Sequence, residues 1–128
     1  MNDDGQALVE LALSLPLLLA LAMGIALLAE VGVARLTLEQ AAAEGARAGA
    51  LTNDDARIRA TIAAAVRPLD AARVRVEIDP AEGLGERARE PRGALLSVRL
   101  EYPIVVPFGP FSRFLVRGSA ARRIEWSS

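Results

Sequence analysis

DDGQALVELALSLP, residues 3–16, joins two acids and a glycine to an apolar run, with one carboxylate, Glu10, just inside it. Beyond Glu10, the 19 residues from Leu11 to Ala29 carry no charge, and Glu30 ends the run. At about 1.5 Å per residue this makes a helix of roughly 29 Å, close to the hydrocarbon thickness of a bilayer. Only Ser14, Pro16 and Gly24 interrupt its Leu, Ala, Met and Ile residues. Pro16 removes the amide that would bond to the Ala12 carbonyl, a loss that membrane helices tolerate where local adjustment or a neighbour satisfies the freed group. The run predicts a single membrane-spanning helix. A cleaved secretory signal is the rival reading, because Ala20-Leu21-Ala22 resembles a signal-peptidase site behind a short apolar region. Two features oppose it: residues 1–5 hold two aspartates and no basic residue, and the apolar pattern continues unbroken through residues 23–29.

Past Glu30 the helical signal runs to about Leu51. Arg35 and Glu39 stand four apart and Glu44 and Arg47 three apart, as on a solvated helix face. Ala41, Gly45 and Gly49 share another face. Small residues at that spacing admit a second helix closely, either from another subunit or from the chain's own domain. A helix over residues 6–51 would be roughly 69 Å long, more than half of it beyond the bilayer.

Thr52-Asn53-Asp54-Asp55 breaks the pattern and supplies capping residues for a new first turn. Ile58, Ile62 and Val66 then predict a short amphipathic helix over residues 54–67, which Pro68 ends. Val74, Val76 and Ile78 alternate with Arg73, Arg75 and Glu77, as in a half-buried strand. Residues 80–93, PAEGLGERAREPRG, read as a solvated loop, with Glu82, Glu86 and Glu90 interleaved by arginines rather than gathered round a cation. Leu96, Val98, Leu100 and Tyr102 form one face of a second strand, which Pro103 and Pro107 restrict. Phe108, Phe111 and Phe114 cluster in PFGPFSRF; such a cluster either anchors at a membrane or partner surface or closes a small core, the second being the commoner case. Residues 114–126 supply a third strand. The expected fold is α+β: a transmembrane and stalk helix, a short second helix and a small antiparallel β-meander, in the order α-α-β-β-β.

With a net charge of −1, the chain is a poor nucleic-acid binder, since phosphate neutralisation needs a basic surface. All 15 basic residues are arginine, and 25 positions are alanine. The absence of cysteine and histidine removes disulfides, thiolate metal sites and the usual catalytic triads, and the absence of lysine removes a Ser–Lys dyad. No catalytic residue, cofactor site or metal site is expected, and an enzyme is not.

The stretches GQALVELALSLPLLLALAMGIALLAE and LEQAAAEGARAGA resemble the TadE-like (TadE/TadG-like) family of bacterial pilus-assembly proteins, pseudopilins of the tight-adherence (Tad/Flp) pilus system. The resemblance is strong over residues 5–50 and looser over 69–128. It implies a type IV pilin-like protein with a leader at residues 1–5, a transmembrane and stalk helix at 6–51 and a small periplasmic domain at 52–128. A prepilin peptidase would then cut between Gly5 and Gln6, and Glu10, fifth in the mature chain, would pair with an N-terminal amine during assembly. The implied partners are other pilins or pseudopilins, the inner-membrane pilus platform and the peptidase. The implied location is the bacterial inner membrane, single-pass, with the C-terminal domain outside the cytoplasm. An uncleaved membrane-anchored adaptor of the envelope is the alternative. The leader Met-Asn-Asp-Asp departs from the basic leaders usual in the family, so an N-in orientation rests on the resemblance rather than on charge.

Overall fold

The computed structural model describes residues 3–106 and 113–127. The described elements are α1 (Asp3–Thr52), α2 (Asp55–Ala65), a 3-10 turn (Ala71–Arg73), β1 (Arg75–Asp79), α3 (Gly85–Arg89), β2 (Leu95–Val105) and β3 (Arg113–Arg123). This is an α+β chain with the helix-then-strand layout expected. It divides into two compact units, Met1–Gly32 and Val33–Ser128, so that the division falls inside α1.

In the first unit the helix begins at Asp3 and carries Pro16 without interruption. Its apolar side chains are exposed on all sides, from Leu13 at 72% to Leu28 at 73%. A helix that is hydrophobic all round has no face to give to water and needs an apolar surrounding. It is long and apolar enough to cross a membrane.

The second unit is built on the C-terminal part of α1. Ala34, Leu38, Ala41, Ala42, Gly45, Ala46, Gly49 and Ala50 are buried, a stripe at helical spacing made almost wholly of Ala and Gly. Such a stripe lets other elements approach the helix backbone. Ile58, Ile62 and Val66 of the α2 segment are fully buried against this core. The turn between the helices is set by local chemistry. Asn53 takes a left-handed φ of 52° and its amide returns to the Gly49 carbonyl at 2.8 Å, ending α1 as an αL cap. Asp54 then caps α2, its carboxylate accepting from the amides of Ala56 (2.8 Å) and Arg57 (3.4 Å).

The sheet is an antiparallel meander in the order β1-β2-β3. Its register aligns Val76 with Leu100 and Leu100 with Gly118, and Ile78 with Val98 and Val98 with Ala120. These residues share the face turned to the helices, because side chains alternate along a strand. The opposite face carries exposed ion pairs, Arg117–Glu101 at 3.2 Å and Arg99–Glu77 at 3.9 Å. β2 continues through Pro103 to Val105, further than the proline suggests. The pairing of β1 with β2 stops at Arg75 and Glu101, so Pro103 has an unpaired side for its NH-less nitrogen. The Arg73 guanidinium fills that side, donating to the Pro103 carbonyl at 3.3 Å.

One expectation is corrected. Residues 80–93 are not simply a solvated loop: they contain α3 and the fully buried Arg87. The guanidinium of Arg87 donates to the Asp55 carboxylate at 2.6 Å, to the Asn53 side-chain oxygen at 2.9 Å and to the Pro80 carbonyl at 2.8 Å. Glu82 joins the same knot by exchanging two bonds with Asp55: its amide donates to the Asp55 carboxylate, and its carboxylate accepts from the Asp55 amide. The segment is therefore fastened to the α1–α2 turn, which periodicity along the chain could not reveal.

Candidate functional site

The N-terminal residues singled out from the sequence sit together on one short stretch of α1. Asp3 and Asp4 occupy the first turn, where their charges complement the positive end of the helix dipole. Gly5 and Gln6 follow inside the helix, so the bond between them lies in its first two turns. Gln6 and Glu10 are four residues apart and share a face, and side chains on a helix tilt toward its N-terminus. Glu10 therefore leans back toward Gln6. Its side chain is exposed, as are Leu8 and Val9 beside it. The arrangement places a carboxylate one turn above a residue whose nitrogen would become an ammonium if the Gly5–Gln6 bond were cut.

The second candidate surface, the Ala41, Gly45 and Gly49 face, lies in the other unit, and its neighbours come from the same chain. A Cβ on Gly45 would meet Ile62 Cγ1 at 2.7 Å, and one on Gly49 would meet Ile58 Cδ1 at 2.6 Å as well as Leu96. Ala41 is fully buried. These small residues hold α2 and β2 against α1. By contrast, a Cβ at Gly24 or Gly32 would meet nothing within 4 Å.

A third close approach was not visible from spacing. Gly118 of β3 presses on the α1 backbone, and a Cβ there would stand 2.7 Å from both the Leu38 carbonyl carbon and the Glu39 nitrogen. No local signal in VRGSAARR marks this glycine, since its neighbour is 79 residues away. The C-terminal segment adds a further tie, the amides of Glu125 and Trp126 both donating to the Ala50 carbonyl at 2.8 and 3.0 Å. That satisfies one of the carbonyls left open at the end of α1.

Of the aromatic cluster, Phe108 and Phe111 lie outside the described residues, and Phe114 is 38% exposed near the start of β3. Among the described residues no group of three His, Cys, Asp or Glu could hold a metal ion. Glu82, once considered with Glu86 and Glu90, is engaged by the Asp55 amide.

The curated proteins and the solved structures give no match. Residues 5–47, which contain Gly5, Gln6, Glu10, the apolar run, Ala41 and Gly45, match the family model described as TadE-like protein.

Proposed function

We propose that the chain is a bitopic pseudopilin, or minor pilin, of a Tad-type pilus machine, matured by a prepilin peptidase that cuts between Gly5 and Gln6. The match of residues 5–47 to the family model described as TadE-like protein supports this reading. The observation that carries it is the placement of Gly5, Gln6 and Glu10 at the mouth of an exposed apolar helix. Gly5 weakens the helix locally by about 1 kcal/mol relative to alanine, which favours opening of the bond into a peptidase. The cut removes Asp3 and Asp4 and creates an ammonium at the positive end of the helix dipole. Glu10 offsets that charge, in its own chain or on an incoming neighbour, where both groups would otherwise stand uncompensated near lipid. The role is structural: the chain engages other pilins and the inner-membrane platform, with the Val33–Ser128 unit outside the cytoplasm.

The alternative, an uncleaved envelope adaptor, is favoured by one observation: the Ala41, Gly45 and Gly49 face is occupied by Ile58, Ile62 and Leu96 rather than open to another subunit. Processing separates the two. Coexpression with a prepilin peptidase should yield a mature chain starting at Gln6, read by intact mass and N-terminal sequencing. Persistence of the full-length chain rejects the pseudopilin reading. Glu10→Ala should then insert normally in the membrane yet lower pilus output by about tenfold or more, the scale of an uncompensated charge near lipid. Normal piliation would reduce Glu10 to an interfacial carboxylate.

A further inference from the structure

β1 and β3 are the two edges of the sheet, and they differ in length and charge. β1 offers five residues, Arg75–Asp79, with Glu77 and Asp79 among them. β3 offers eleven, and its sequence RFLVRGSAARR holds four arginines and no acid. An edge strand leaves every second residue with its amide and carbonyl turned away from the sheet. On β3 the bonds at Ile124 identify these residues. Its amide donates to the Ala94 carbonyl at 2.9 Å and its carbonyl accepts from the Gly93 amide at 2.7 Å, so Ile124 faces the line of β2. Counting back by twos along the continuous register, Arg122, Ala120 and Gly118 also face β2, while Arg123, Ala121, Ser119 and Arg117 face outward. Pro103 gives the same phase independently. It pairs with Leu115, yet its carbonyl accepts from Arg73 on the β1 side, so that rung exchanges no bonds between β2 and β3.

Among the described residues, no group bonds to the outward amides and carbonyls of Arg117, Ser119, Ala121 and Arg123. From Arg117 to Arg123 this edge is about 20 Å long. The side chains of these residues share the solvent face of the sheet and are exposed, Arg117 at 72%. Charge on an edge strand discourages pairing between copies, and here every charge has the same sign, so two β3 strands repel each other. The carboxylates close to the strand are engaged. Glu101 is held by Arg117 at 3.2 Å, and Glu39, whose nitrogen lies against Gly118, is held by Arg35 at 3.3 Å. An exposed guanidinium has five donors, so Arg117 can take a second carboxylate without releasing Glu101.

We propose that the Arg117–Arg123 edge of β3 accepts an extended acidic segment of a partner protein as a fourth strand of the sheet. The backbone ladder supplies the affinity, and the positions opposite Arg117 and Arg123 on the solvent face select carboxylates. Ser119 and Ala121 between them leave room for the partner's own side chains. β1 is the poorer acceptor. Its edge turns out only Val76 and Ile78, and Glu77 and Asp79 repel an acidic strand. Strand addition at β3 depends neither on the membrane span nor on a cut at Gly5.

Amide hydrogen exchange on the full chain in detergent micelles tests this, read residue by residue by NMR. In the free protein the Ser119 and Ala121 amides should exchange fast and those of Gly118 and Ala120 slowly. A capped heptapeptide of alternating valine and threonine, with glutamate at each end, should slow Ser119 and Ala121 about tenfold. Val76 and Ile78, the outward amides of β1, should not change. The same peptide with lysine for glutamate should bind about tenfold more weakly. A version N-methylated at its glutamates and threonines cannot donate to a strand and should protect nothing. Ser119→Pro removes one outward amide and spares the ladder to β2, so the Trp126 unfolding midpoint should hold while affinity for the acidic peptide, read by fluorescence anisotropy, falls about tenfold. The N-methylated peptide decides the matter even if that variant does not fold. Slow Ser119 and Ala121 amides before any peptide is added would mean a covered edge and overturn the proposal. So would no protection by the acidic peptide, equal binding of the lysine peptide, protection by the N-methylated one, or protection confined to β1.

Discussion

Gly118, Gly45, Gly49 and Gly24 are the same residue under different constraints, and the difference is one of neighbours. At Gly118 an added methyl would strike the α1 backbone at 2.7 Å, and backbone cannot swing aside. Gly118→Ala should therefore cost about 2–3 kcal/mol, in the range of overpacked cores. At Gly45 the obstacle is the Ile62 side chain, which can yield, so Gly45→Ala should cost less, about 1 kcal/mol. Gly24→Ala meets open space and should leave the stability of the domain unchanged. Trp126 is the only tryptophan and bonds to the end of α1, so its fluorescence in denaturant titrations reads the order directly. Equal midpoints for Gly118→Ala and Gly24→Ala would falsify the close approach. Arg87 makes a separate case. Truncating it to Ala would strip the charge partner from Asp55, a side chain 19% exposed, and the bond from Asn53. The expected loss is about 3 kcal/mol, since breaking a buried pair strands the remaining charge. Arg87→Lys should recover only part of it, because an ammonium lacks the fork that reaches three acceptors.

At the scale of elements, α1 is one helix under two packing regimes. Between residues 11 and 29 its side chains are exposed except for the half-buried Leu27, so volume there is little constrained within the chain. Between Ala34 and Ala50 its buried face is almost all alanine and glycine. Ala46→Leu should thus destabilise the domain by about 2–3 kcal/mol, while Ala22→Leu should not. The Trp126 unfolding midpoint checks both, and a tolerated leucine at 46 would mean the helix does not seat on the sheet. Much of this layer was legible in the chain: Ile58, Ile62 and Val66 announced α2, and the alternations at Val74–Ile78 and Leu96–Tyr102 announced two strands. Both rest on local periodicity, which a sequence displays. The roles of Gly5 and Glu10 rest on the family resemblance, and the helix fixes only their spacing. Gly118 and Arg87 were not legible. Their partners lie 79 and 32 residues away, and Arg87 sits in a charge-rich segment whose composition matches a solvated loop. The strand through Pro103 was underestimated because its tolerance depends on where β1 stops.

At the scale of the molecule, the chain divides between Gly32 and Val33 into two compact units of different character. Among its described residues the first unit buries no apolar side chain, and most of its leucines are exposed. The second has a core drawn from α1, α2, β2 and the segment after β3, with Leu38, Ile58, Ile62, Leu96, Val98, Leu100 and Ile124 each at 1% exposure or less. Small domains of about this size bury enough surface to fold alone. The fragment 33–128 should accordingly be soluble without detergent and unfold in one cooperative transition, with the same Trp126 midpoint as the full chain in micelles. The full chain should need detergent or lipid, because an unpartnered apolar patch of this extent drives association in water. The comparison also bears on function. If the fragment loses cooperativity, or its midpoint falls by more than about 1 kcal/mol equivalent, then residues 3–32 support the fold as well as anchoring it. Equal midpoints mean that the segment adds nothing to the stability of the domain. Under the proposed maturation, a cut between Gly5 and Gln6 and the pairing of Glu10 would then leave the stability of the domain untouched.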